Sequence, residues 1–417
     1  MELKRVVVTG LGALSGIGNS TPEFWDNLVK GVSGSRGITR FDASKFKTKF
    51  ACEVKDFDPK QFFDRKEQRK LDLYSQFALV AAQEAVSDTN FDFDKIDLDR
   101  IGVIWASGIG GVETFLAEVE GFVKGNGTPR FSPFFIPKMI ADIASGHISM
   151  KYNFRGPNFT TVSACASSSN AIIDAFNYIR LGKADAFVTG GSEAAINEVG
   201  MGGFNAMHAI STRNDEFETA SRPFDKTRDG FVMGEGGASL ILEEYEHAKK
   251  RGAKIYAEMV GGGMSADAHH LTAPHPQGLG AKMVMKNAIS DAGITLQDID
   301  YINVHGTATP LGDIAETIAI KDVFGDYAYK LSISSTKSMT GHLLGAAGAI
   351  ESLAGIMAIN RDIIPPTINF KTEDPEIDYK LDLTLNEPKE RKVKYAMSNT
   401  FGFGGHNASI IFKKFEK

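Results

Sequence analysis

Short apolar, β-branched runs recur along the chain and alternate with longer stretches whose apolar positions repeat at helical spacing. RVVVTG (residues 5–10), RIGVIWAS (100–107), NFTTVSA (158–164), DAFVTGG (185–191) and DYINVH (300–305) are strand candidates, while KEQRKLDLYSQFALVAAQEAVSD (66–88) and GAKMVMKNAISDAGI (280–294) predict helices. Strands apolar on both sides and separated by helices predict a mostly parallel sheet covered on both faces, hence an α/β fold. An internal echo divides the chain. VSACASSSNAIIDAF (162–176) and ISSTKSMTGHLLGAAGAI (333–350) each read as strand, small-residue turn and helix. FVTGGSEA leading to GASLILEE is likewise matched by YAMSNTFGFGG leading to NASIIFKK. The expected halves are 1–255 and 256–417, packed together, since no Pro- or Ser-rich linker separates them.

Composition narrows the function classes. Of 417 residues, 42% are apolar and 24% charged, which excludes a disordered or fibrous chain, and 52 acidic against 46 basic residues argue against a general nucleic-acid binder. Two cysteines in so long a chain exclude a disulfide framework, and no run reaches the ~20 apolar residues of a membrane span, so a cytoplasmic protein is expected. Glycine is the outlier, with 43 residues, and suggests backbones packed closely around a site.

The first glycine-rich stretch, VVVTGLGALSG, fits a dinucleotide fingerprint poorly, because its third glycine is Gly16, one residue late, and no ribose-holding acid follows. It is expected to be a tight turn after an edge strand. Cys165 is the sharpest chemical feature, at a strand end where a helix begins. A helix N-terminus favours negative charge, so a nucleophilic thiol there would have a lowered pKa, whereas the alternative is a small buried core residue. His305 ends a strand and opens HGTATPLGD, at the sheet edge where α/β proteins place their sites. His342 lies at an expected helix start, whose positive dipole end should keep its ring neutral. Lys337, in an apolar and glycine-rich segment, needs a partner, and Glu351 is an available carboxylate. SNTFGFGGHN places Phe401 and Phe403 among glycines, as a gate or as a source of backbone N–H groups. His269, His270 and His275 show no metal-ligand spacing and are expected to bind no metal.

VSACASSSNAI, HGTATPLGD, STKSMTGHLLGAAG and SNTFGFGGHN, in this order, resemble the elongating β-ketoacyl-acyl-carrier-protein synthases. RVVVTGLGALSGIG, SPFFIPKMIADIASGHIS and SRPFDKTRDGFVMGEGG extend the likeness over essentially the whole chain. The resemblance implies a thiolase-like fold of two similar halves in five αβαβα layers, a homodimer, no cofactor, and decarboxylative condensation of acyl and malonyl groups carried by acyl carrier protein. It implies Cys165 as nucleophile, His305 and His342 as donors to the malonyl thioester oxygen, and Lys337, paired with Glu351, as support for the second histidine. Phe403 would gate the site and share the oxyanion hole with Cys165, beside Phe401. Thr307 and Thr309 would hold the phosphopantetheine arm, and Ile109 and Phe204 would border the acyl chain. A non-catalytic chain-length-factor subunit would lack the cysteine, and a ketosynthase of polyketide synthesis shares much of the pattern. Arg65, Lys66, Arg69 and Lys70 crowd the start of a helix whose dipole disfavours cations, which suggests a patch that docks the acidic carrier.

Overall fold

The computed structural model describes residues 3–416. Each strand candidate forms a strand. In chain order the ten main strands are β1 (Val6–Ser15), β2 (Ile101–Ala106), β3 (Asn158–Thr161), β4 (Ala186–Glu193), β5 (Gly236–Glu244), β6 (Ala257–Ala266), β7 (Tyr301–Asn303), β8 (Ser332–Ser334), β9 (Tyr395–Gly402) and β10 (His406–Lys414). Their spatial order is β3-β2-β4-β5-β1 and then β6-β10-β9-β7-β8. Outward from the junction, the second half therefore repeats the first. The two five-stranded sheets meet only where Val6–Val8 of β1 pair with Ala257–Met259 of β6.

The sheets are mixed rather than mostly parallel. Parallel pairing is confined to the outer strands, β3-β2-β4 and β9-β7-β8, and the inner pairings are antiparallel. Only three residues join β9 to β10, and so short a link compels antiparallel pairing. Sequence periodicity reports that a strand is buried on both faces, not which way its neighbour runs.

Helices make the other layers. α1 (Leu73–Thr89) and α3 (Ile143–Tyr152) cover the outside of the first sheet, and α2 (Val112–Lys124) is tied to the start of α1 through Thr114 and packs on the short helices Phe135–Met139 and Glu198–Ala206. α5 (Leu279–Ala292) covers the outside of the second, with α6 (Pro310–Phe324) packed on it. α4 (Ser167–Arg180) and α7 (Ala347–Arg361) lie between the sheets, touch strands of both, and pack on each other. α7 is buried from Ala347 to Ile359, because it meets protein on every side.

Two expectations are corrected. The stretch VVVTGLGALSG, up to Ser15, is a ten-residue strand at the centre of the molecule, not a turn beside an edge. Gly10 and Gly12 serve close packing on α1: a Cβ at Gly12 would lie 2.0 Å from the Ala81 carbonyl oxygen, and one at Gly10 would lie 2.3 Å from that of Ala85. The helix expected over 66–88 is broken at 69–72. Asp72 caps α1 by accepting from Tyr74 N–H, and its other oxygen accepts from Thr114 on α2 at 2.5 Å. No described helix is long and apolar enough to cross a membrane.

Candidate active site

β3 delivers the chain to a tight turn, Ala164–Ala166, from which α4 starts. Ala164 has φ +50°, in the left-handed region that costs an L-residue energy. The turn is held by Ser167, whose hydroxyl accepts from Ser163 N–H at 2.8 Å and donates to Ala164 O at 2.7 Å. Small residues here are a packing need, since the turn is wedged against the second half. A Cβ on Gly402, at the end of β9, would lie 3.1 Å from Cys165 N. Cys165 is thereby presented to a cavity of about 470 Å³.

The second half builds the equivalent turn, Leu344–Ala346, with Leu344 at φ +47° ahead of α7. His342 precedes it. Its backbone N–H donates to Val232 O at 2.7 Å, and its Nε2 lies 3.0 Å from Cys165 Sγ. The His305 and His342 rings stand edge-to-face at 5.3 Å, with Phe231 against His342 and Phe401 against His305. His305 is set by a buried carboxylate: Glu316 accepts from the N–H groups of His305 and Gly306, both at 2.9 Å. The Nδ1 atoms of both histidines have no hydrogen-bond partner.

Electrostatics follow from burial and one cation. Burial pushes the Cys165 thiol up to about 12, against the pull of Lys337 and of the Phe403 N–H, so the lowered thiol pKa expected from the helix start is not found. Both histidines are held well below their usual range, by burial first and then by Lys337, with His342 adding to the effect on His305. His342 is neutral as expected, but for this reason. It sits five residues before α7, outside the first turn where a dipole acts. Lys337 is buried at the start of a four-residue helix and forms an ion pair with Glu351. Burial raises the Glu351 carboxyl to about 7, and Lys337 opposes it.

Other expected residues also reach the cavity. Ile109, Phe204, Thr307, Thr309, Phe401 and Phe403 line it, and the Thr307 and Thr309 hydroxyls are 3.0 Å apart. Arg65, Lys66, Arg69 and Lys70 do not; they are exposed on and just after the short helix Arg65–Gln68, which starts with a capping box from Asp64 and Glu67. Asp267, which nothing in the sequence singles out, and His275, expected only to bind no metal, line the cavity on a loop tied to the glycine-rich turn after β9: Gly404 N–H donates to Leu271 O at 2.7 Å, and Asp267 N–H donates to Gly405 O at 3.0 Å. Among the described residues, one group of side chains could ligate a metal, and it is Cys165, His305 and His342, whose ligand atoms lie within 4.8 Å of one another. A thiol and two imidazoles match a zinc donor set. They also match a nucleophile flanked by two neutral N–H donors, which is the chemistry of acyl transfer.

Two equivalent halves meeting at a cysteine turn make this a condensing enzyme of the thiolase-like fold. Solved structures agree: a beta-ketoacyl synthase from Burkholderia phymatum has a TM-score of 0.91 and 36% identity, covering 99% of this chain and 100% of that one. A ketosynthase described in complex with a type II polyketide acyl-carrier protein and bound to the hexaketide has a TM-score of 0.92 and 35% identity, with the same coverage. Residues 3–248 match the beta-ketoacyl synthase N-terminal domain and residues 256–371 match the C-terminal domain. The chain belongs to the beta-ketoacyl synthase family. It is 50% identical over 414 residues to 3-oxoacyl-[acyl-carrier-protein] synthase 2 of Staphylococcus aureus (strain COL), covering 99% of both chains. It is also 50% identical over 416 residues to the protein of that name from Synechocystis, covering 100% of this chain and 99% of the relative.

Proposed function

We propose that this protein elongates acyl chains on acyl carrier protein by two carbons, through decarboxylative condensation with malonyl carrier, and that Cys165, His305 and His342 carry the chemistry. The observation that carries the residue assignment is the 3.0 Å contact of His342 Nε2 with Cys165 Sγ. A thiol pushed up to about 12 is not a standing thiolate, so it must lose its proton as it attacks. Neutral His342 accepts that proton, the sulfur adds to the acyl thioester carbonyl, and the tetrahedral oxygen is received by the N–H groups of Cys165 and Phe403. The carrier thiolate leaves with a proton from solvent, the acyl group stays on Cys165, and His342 keeps the Cys165 proton on Nε2 while its Nδ1 proton passes to solvent.

In the second half-reaction the malonyl thioester oxygen takes hydrogen bonds from His305 and His342. The malonyl C–C bond breaks, CO₂ departs with its carboxylate oxygens, and the electron pair forms an enolate. That enolate attacks the Cys165 thioester, the sulfur leaves with its electrons and takes the Nε2 proton of His342, and His342 Nδ1 takes up a proton from solvent. Loss of CO₂ supplies the carbanion without a strong base, so what is needed is stabilisation of an oxyanion by neutral donors. Burial and Lys337 keep both rings neutral.

Thr307 and Thr309 are placed to hydrogen-bond the pantetheine arm, while Ile109 and Phe204 border the acyl chain. Arg65, Lys66, Arg69 and Lys70 offer an exposed basic patch to an acidic carrier. Fatty-acid rather than polyketide elongation is favoured by 50% identity to the 3-oxoacyl synthases against 35% to the polyketide ketosynthase, and Cys165 opposes a chain-length-factor role. A homodimer is supported by exposed apolar side chains on α2 and the segment after it, including Phe115, Phe122, Val123, Phe131 and Ile136. The halves 1–255 and 256–417 are supported by the repeated strand order, and a reducing cytoplasm by two free, buried cysteines. The test is incubation with decanoyl and malonyl carriers, followed by mass spectrometry. An acyl adduct on Cys165, absent in Cys165→Ala, and a product longer by two carbons are expected. An adduct on another residue refutes the assignment.

A further inference from the structure

Glu193 ends β4, and its side chain is fully buried with no cation paired to it among the described residues. Its Oε1 accepts from the Ser107 hydroxyl at 3.0 Å and Ile109 N–H at 3.2 Å, and its Oε2 accepts from Gly108 N–H at 2.7 Å and Gly345 N–H at 3.0 Å. These donors lie in or beside two separate walls of the cavity, which Gly108 and Ile109 line on one side and His342 and Leu344 on the other. Ser107–Ile109 follow β2 in the first half, whereas Gly345 lies in the second half, three residues after His342.

The internal symmetry shows what the carboxylate replaces. β4 and β9 are equivalent, so Glu193 corresponds to Gly402, and the turns Ala164–Ala166 and Leu344–Ala346 are equivalent, so Gly345 corresponds to Cys165. Around the nucleophile, Gly402 passes beside the N–H of Cys165 and contributes no side chain. At the matching place in the other half, a side-chain anion takes the N–H of Gly345. Contact there is too close for any other residue: a Cβ at Gly345 would fall 2.2 Å from Gly108 N and 2.8 Å from Glu193 Oε2. Burying a carboxylate is costly unless every lone pair is used, and a hydrophobic residue would pack this junction without that cost.

We propose that Glu193 is a positioning residue that locks the Ile109 wall of the acyl-binding cavity to the backbone carrying His342, so that chain-length discrimination and enolate stabilisation depend on the same carboxylate. This rests on the reading above, in which Ile109 borders the acyl chain and His342 serves the malonyl group. Glu193→Gln keeps the shape but turns an amide NH₂ toward N–H donors, which releases at least one wall. Released from Oε1, the Ile109 segment retreats and longer chains gain relative to shorter ones.

The experiment measures kcat/KM for hexanoyl and hexadecanoyl carriers, and malonyl-carrier decarboxylation, per Cys165 thiol titrated in the folded enzyme. Glu193→Gln is expected to raise the long-to-short ratio by about 10-fold, the scale of a small change in an apolar pocket, and to slow decarboxylation. A purely structural role lowers the folded fraction but leaves the ratio unmoved, and an unmoved ratio in folded Glu193→Gln overturns the proposal. Should that variant fail to fold, Ser107→Ala decides, since it removes one donor and leaves the three N–H groups. It is expected to move the ratio in the same direction by less, and an unchanged ratio overturns the proposal. The unaltered enzyme separates the two levels. If it forms no Cys165 adduct and no elongated product, the functional reading itself fails; if it condenses both carriers while the variants keep its ratio, only the role of Glu193 fails.

Discussion

Replacing Lys337 by Met would strand the Glu351 carboxylate in a place where both side chains are no more than 2% exposed. Breaking a buried pair from one side costs about 3–5 kcal/mol, because the remaining charge has neither water nor partner. The penalty depends on pH, and the sign follows from Glu351. Its carboxyl is raised to about 7 in the folded protein from 4.5, so the folded state binds the extra proton between those values, and stability falls as pH rises from 4.5 to 7. Without Lys337 the carboxyl has still more reason to stay protonated. The cost of Lys337→Met should therefore be near its full value at pH 8 and smaller at pH 5.5, where the carboxyl is neutral in both proteins. Adding Glu351→Met removes the stranded charge and should recover at least about 2 kcal/mol of the loss, a coupling typical of residues in direct contact. Chemical denaturation of the wild type, both single variants and the double variant at the two pH values measures the cycle. Additive single losses, or a Lys337→Met cost equal at both pH values, would refute the view that this ion pair is an electrostatic unit. The double variant also isolates catalysis: stable again but without the cation, it should decarboxylate malonyl carrier more slowly at low pH, since the field that helps keep both histidines neutral is gone.

Three further outcomes are expected. Alkylation of Cys165 by iodoacetamide should rise about tenfold per pH unit from 7 to 10, because the thiol is pushed up to about 12; a plateau beginning near pH 7 would mean a thiolate already formed. His305→Ala and His342→Ala should each slow malonyl decarboxylation by ~10²-fold or more, the scale of losing one preorganised oxyanion donor, with His305→Ala still acylated at Cys165; normal decarboxylation in both would refute their role. Reversing Lys66, Arg69 and Lys70 to Glu should raise KM for carrier-bound substrates and flatten its salt dependence while sparing a small acyl thioester; equal damage to both would place docking elsewhere.

The patterns that the chain carries locally were enough for much of this. Alternating β-branched runs and helical periods determined an α/β fold, and the echo of strand, small-residue turn and helix determined that it is built twice, because both signals are written in consecutive residues. The same is true of where Cys165, His305, His342 and the SNTFGFGG segment lie, at turns that require glycine and small residues in a recognisable order. Tertiary structure alone decided what those groups become. The helix start at Cys165 suggested a lowered thiol pKa, but desolvation between two sheets outweighs a dipole, and no residue near Cys165 in sequence announces the second sheet. Gly10 and Gly12 looked like a turn because the helix they pack against begins some 60 residues later. Glu193 and Glu316 were passed over for the same reason. In sequence a lone acid beside an apolar run reads as a solvent face, and only folding shows that Glu193 takes donors from Ser107–Ile109 and Gly345, far along the chain, and that Glu316 turns back to the N–H groups of His305 and Gly306.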